Sequence, residues 1–69
     1  MVRYDRLWKL LKEKSIRKHD LMKLADFSSA TLTKLNKNEL VALSVLVKIC
    51  KALNCQLDDV VEIDCEEAM

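Results

Sequence analysis

Between Ser28 and Lys37 the chain sets small hydroxyl side chains, one alanine and two lysines along a stretch with the period of a short helix. Leu32 and Leu35, three residues apart, mark the side that turns inward. Ser29, Ala30, Thr33 and Lys34 are left to face outward. Hydroxyls both donate and accept hydrogen bonds, an ammonium only donates, and an alanine methyl packs on apolar edges. That set suits phosphate oxygens and base edges in a major groove, and it suits no bond-breaking chemistry.

The elements that hold this face are legible. Ser28 is a good N-cap, its hydroxyl placed to accept the free backbone N–H of Thr31. Phe27 before the cap and Leu32 after it have the spacing of a hydrophobic staple, which fixes the angle of entry into the helix. A preceding helix is expected from about Arg17 to Ala25, with Leu21, Leu24 and Ala25 inward and Asp26 and Phe27 as the turn. Two short helices joined in this way form a helix-turn-helix, the second one reading duplex DNA. The same periodicity would also serve a plain helical hairpin in a small bundle.

Charge agrees with the first of these readings, although a basic first helix can also simply solvate itself. Residues 1–37 carry ten Lys or Arg against four acids, a net of +6; residues 38–69 carry two lysines against seven acids, a net of −5. The positive half is the half with the two-helix unit, as phosphate neutralisation requires.

Composition narrows the remaining classes. Sixty-nine residues make a single domain, residues 1–69, and a chain of this size buries only about 60% of its unfolded surface. There is no glycine or proline, which argues against linkers, disorder and hairpin-rich β folds. No apolar run approaches the roughly 18 residues of a membrane span, so no membrane association is expected. Cys50, Cys55 and Cys65 form no C-x-x-C pair, and the single histidine, His19, lies far away. That is no zinc set; the thiols serve as small apolar residues. His19 has no nucleophile to pair with, so neither catalysis nor a cofactor is expected.

Five helices are expected in an all-α chain. The first runs from about Tyr4 to Lys14, with Tyr4, Leu7, Trp8, Leu10 and Leu11 as its apolar stripe and Trp8 as core or core-edge packing. The helix-turn-helix supplies the second and third. The fourth, about Leu43 to Leu53, repeats the pattern at Leu43, Leu46, Val47, Cys50 and Leu53. A fifth, Leu57 to Val61, has Asp58 and Asp59 at the positive end of its dipole. An acidic tail, 64–69, is expected to fray. Without glycine, left-handed helix ends must fall to Asn or Asp. Asp26, Asn38 and Asn54 stand after helices two, three and four.

Over residues 4–63 the chain resembles the XRE family, the Cro and phage-repressor class. The likeness rests on Leu21 to Leu35, on Leu46-Val47-Lys48-Ile49-Cys50-Lys51-Ala52-Leu53-Asn54-Cys55, and on Leu57-Asp58-Asp59-Val60. It implies a compact five-helix, lambda-repressor-like domain that dimerises on double-stranded DNA with its third helix in the major groove. By position it implies phosphate contacts from Lys18, with Arg17 beside it, and from Ser28. Ser29, Ala30 and Lys34 fall at base-facing positions with Thr33 nearby, and Lys37 returns to the backbone. The resemblance further implies a homodimer joined around Leu57 and Val61. It implies a cytoplasmic protein, bacterial or phage-borne and nucleoid-associated when bound, acting as a repressor without a small-molecule cofactor.

Three positions depart from the family. Met22 stands where a small residue is preferred, Asp26 where glycine is, and the loop Glu39-Leu40-Val41-Ala42 lacks the usual basic residues. Lys34 can donate to guanine, Ala30 can pack on a thymine methyl, and Ser29 can bond to either type of base. No Arg, Asn or Gln is present among them for bidentate reading, so modest specificity is expected, with help from paired half-sites and DNA shape. The alternative is a protein-interaction or antitoxin-like subunit that keeps the fold, with Leu40, Val41 and Val45 as its apolar surface.

Overall fold

The computed structural model describes residues 1–64. It contains four α-helices: α1 (Asp5–Glu13), α2 (Lys18–Ala25), α3 (Ser29–Asn36) and α4 (Leu43–Leu53). A single 3₁₀ turn, Leu57–Asp59, follows. Two short strands, β1 (Val2–Arg3) and β2 (Glu62–Ile63), pair antiparallel with Val2 opposite Ile63 and Arg3 opposite Glu62. The chain is therefore mostly helical, not all-α, and its fifth helix is replaced by the turn and β2.

Local chemistry accounts for that replacement. The Asp59 carboxylate accepts the Gln56 N–H at 3.0 Å, closing a capping box over one turn. That turn is enough to sink Val60 completely into the core. The chain then runs extended to reach β1, and the Asp64 N–H donates to the Met1 carbonyl at 2.8 Å. The first residue of the expected tail is thus tied down; residues 65–69 lie outside those described.

The core is built from Tyr4, Leu7 and Leu11 of the first segment, Leu21 and Ala25 of α2, Leu35 of α3, Leu46, Ile49 and Leu53 of α4, and Val60. Trp8 and Leu10 pack against its edge. Two expected stripes are rotated. Leu24 is exposed, and α2 faces α4 through Leu21 and Ala25. On α4 the buried line is Leu46, Ile49 and Leu53, leaving Leu43 and Val47 in solvent. A stripe of 43, 46, 47, 50 and 53 and one of 46, 49 and 53 share the helical period, and only packing against α2 chooses between them.

All four helices end in the same way. Ser15, Asp26, Asn38 and Asn54 adopt φ of 57°, 56°, 57° and 53°. The next residue in each case returns its N–H to the carbonyl five positions back: Ile16 to Leu11 at 2.9 Å, Phe27 to Met22 at 3.1 Å, Glu39 to Lys34 at 2.9 Å and Cys55 to Cys50 at 3.0 Å. The three expected terminators are in place, and Ser15 is a fourth. Serine is poorly suited to this region, and its side chain makes no hydrogen bond among the described residues. Ser15→Gly is expected to stabilise the domain by about 0.5–1 kcal/mol, raising the melting temperature by about 2–8 °C. A fall on melting would show that the strain is absent.

Tyr4 locks the loop that leaves α3. Its hydroxyl donates to the Glu39 carbonyl at 2.7 Å, and its backbone N–H donates to Asn38 Oδ1 at 3.1 Å. Burial raises the phenol above its ordinary value of 10.0. The unfolded chain therefore ionises first, and stability falls as pH rises past about 10. Tyr4→Phe is expected to cost about 1 kcal/mol at neutral pH and to remove part of that alkaline loss. Urea melts at pH 7 and pH 10.5 would check both; an unchanged alkaline slope would contradict the pH claim.

Candidate nucleic-acid interface

The Ser28 backbone is extended (φ −82°, ψ 163°), and its Oγ accepts the Thr31 N–H at 3.3 Å. The cap is thus formed as its residue type requires. Phe27 is half-buried against the core and Leu32 is buried, so the turn is anchored on both sides of the cap. Asp26 supplies the left-handed bend, and the Lys48 ammonium donates to its carbonyl at 3.3 Å, placing a cation at the negative end of α2.

From this cap α3 presents Ser29, Ala30, Thr33, Lys34 and the following Lys37 along one side, opposite Leu32 and Leu35. All five are exposed, as are Arg17, Lys18 and Ser28. Among the described residues no acceptor lies within reach of the Lys34 or Lys37 ammonium, so both remain available to an anion. The Thr33 hydroxyl donates to the Ser29 carbonyl at 3.0 Å. Its proton is occupied within the helix, and it meets a ligand mainly as an acceptor.

Lys18 is held, a feature that sequence reasoning missed. Its ammonium donates to Asn36 Oδ1 at 2.7 Å and lies 4.1 Å from the centre of the Trp8 ring. Arg17 caps α2 through its backbone alone, without a side-chain cap bond. The basic half is also less free than its count suggests. Arg3 pairs with Asp5 at 3.2 Å, and Arg6 meets Glu62 at 3.6 Å and the Asp58 carbonyl at 3.1 Å. These arginines serve the terminal ribbon, whereas Lys34 and Lys37 make no ion pair among the described residues.

A model of the Cro/C1-type helix-turn-helix DNA-binding domain matches residues 6–66. The chain belongs to this family. It is a family of DNA-binding domains, the XRE group, and not one of enzymes. The domain is also similar to a solved crystal structure described as transcriptional regulator VanUg. Identity is 44%, the TM-score is 0.86, and the match covers 88% of this chain and 81% of that one. No curated protein matches the chain.

Among the described residues no group of three His, Cys, Asp or Glu is placed to hold a metal, and no helix is long and apolar enough to cross a membrane. Cys50 and Cys55 are half-buried thiols, and Cys65 lies outside the described residues. The apolar surface expected at Leu40, Val41 and Val45 is only partly present, because Val41 and Val45 pack against the core. Leu40, 77% exposed, is accompanied instead by Leu43 and Val47 at 62% and 43%.

Proposed function

We propose that the chain is a sequence-specific transcriptional regulator that reads the major groove with α3 and acts as a dimeric repressor. The observation that carries this reading is the outward side of α3. Ser29, Ala30, Thr33 and Lys34 stand on a capped, core-anchored helix, and among the described residues no side-chain bond engages Lys34. Arg17, Lys18, Ser28 and Lys37 border it as phosphate contacts. The role named for VanUg agrees with the proposal. A repressor of this kind works inside the cell, by occupying an operator that polymerase needs. Paired half-sites about 10 base pairs apart fit a two-fold dimer. The partly exposed Leu57 and the half-buried Val61 are its proposed contact.

A second reading has its own support, since Leu40, Leu43 and Val47 are apolar side chains that the fold leaves exposed. Fluorescence anisotropy with a labelled inverted-repeat duplex and a scrambled one, at two salt concentrations, separates the readings. The DNA reader binds the repeat more tightly and loses affinity as salt rises, by a log–log slope of about −0.9 per phosphate neutralised. Absence of binding to either duplex at low salt would favour the protein-interaction reading.

A further inference from the structure

We infer that Trp8 and Asn36 are positioning residues for DNA-backbone recognition, holding the Lys18 ammonium beside α3 through a neutral amide and a ring face. This rests on the duplex-binding reading and goes beyond its contact set, since neither Trp8 nor Asn36 belongs to that set. Three helices meet at one nitrogen: Trp8 comes from α1, Lys18 from α2, and Asn36 ends α3. The ammonium sits 4.1 Å from the ring centre and 2.7 Å from Asn36 Oδ1.

The chemistry of the clip favours preparation for an anion over simple surface packing. An ammonium has three N–H donors, and Asn36 takes one. The indole face beneath attracts the charge without accepting a proton, leaving donors turned to solvent. Trp8 is half-buried against the core, so packed side chains back the ring under the lysine. A free lysine loses much rotamer entropy on contacting a phosphate, and a lysine already held loses less. The identity of residue 36 matters most. A carboxylate there would bind Lys18 more strongly but neutralise it, whereas a neutral amide fixes it and leaves the whole charge for a partner.

The test compares affinity for the inverted-repeat duplex among the full chain, Lys18→Ala, Asn36→Ala, Asn36→Asp and the Lys18→Ala/Asn36→Ala double variant. Lys18→Ala is expected to weaken binding about 10-fold and to flatten the salt slope by about 0.9. Asn36→Ala is expected to weaken binding about 3-fold, Asn36→Asp about 10-fold, and Asn36→Ala should add nothing once Lys18 is gone. The chain has one tryptophan, so emission reports on the clip directly. Duplex should alter Trp8 emission in the unsubstituted chain and not in Lys18→Ala. Equal losses from Asn36→Ala with and without Lys18, or emission indifferent to bound duplex, would overturn this inference and leave the DNA reading standing. Failure of the unsubstituted chain to bind duplex at low salt would overturn both.

Discussion

Leu35→Ala is expected to leave the domain largely unfolded near body temperature. Leu35 is the α3 residue with no exposure at all, and it joins the core shared by the first segment, α2 and α4. Truncating a buried leucine costs about 2–5 kcal/mol, the loss of transfer free energy plus the cavity left behind. A domain of this size holds about 3–10 kcal/mol in total. The melting temperature should therefore fall by about 10–30 °C when followed by circular dichroism. DNA binding should vanish with the folded fraction and return on cooling. A melting temperature within about 3 °C of the unsubstituted chain would mean that α3 is not anchored through Leu35.

Lys34→Glu, one residue away, is expected to do the opposite. Its side chain lies in solvent and meets no protein acceptor among the described residues. The change removes a cation from the last turn of α3, worth at most about 1 kcal/mol of stability. For duplex binding it removes one attraction and introduces a repulsion on the proposed reading face. A base contact of this kind is worth about 1–3 kcal/mol, and the reversed charge adds to the loss, so affinity should drop by about two orders of magnitude. Lys34→Gln, which keeps a donor without the charge, should fall between. Unaltered affinity and preference in Lys34→Glu would remove α3 from the interface. The two substitutions split stability from recognition across one helix.

The same division governs what sequence alone reveals. The helix-turn-helix is legible because its determinants are local: Ser28 caps the amide three residues on, and Asp26 tolerates the left-handed bend that ends α2. Ser15 escapes notice because serine has no special preference for that region; the fold imposes it. Leu24, Leu43 and Val47 read as core because an apolar stripe on a short helix leaves its rotation undetermined, and contacts between α2 and α4 fix it. The terminal ribbon has two residues in each strand, too few to alternate, and joins positions about sixty apart in the chain. Likewise Tyr4 with Asn38 and Lys18 with Asn36 are pairings of remote residues that no spacing rule encodes. All eight expected contact residues are exposed, yet three are already engaged: Lys18 with its clip, and Ser28 and Thr33 with their own helix.

The central claim, that the exposed side of α3 meets duplex DNA, is tested most directly by mapping backbone amide shifts in a ¹⁵N-labelled sample titrated with the inverted-repeat duplex. The account predicts the largest changes at Ser28 to Ala30, Thr33, Lys34 and Lys37, with a second group at Arg17 and Lys18. Changes confined to Leu40 through Val47, with α3 silent, would contradict it.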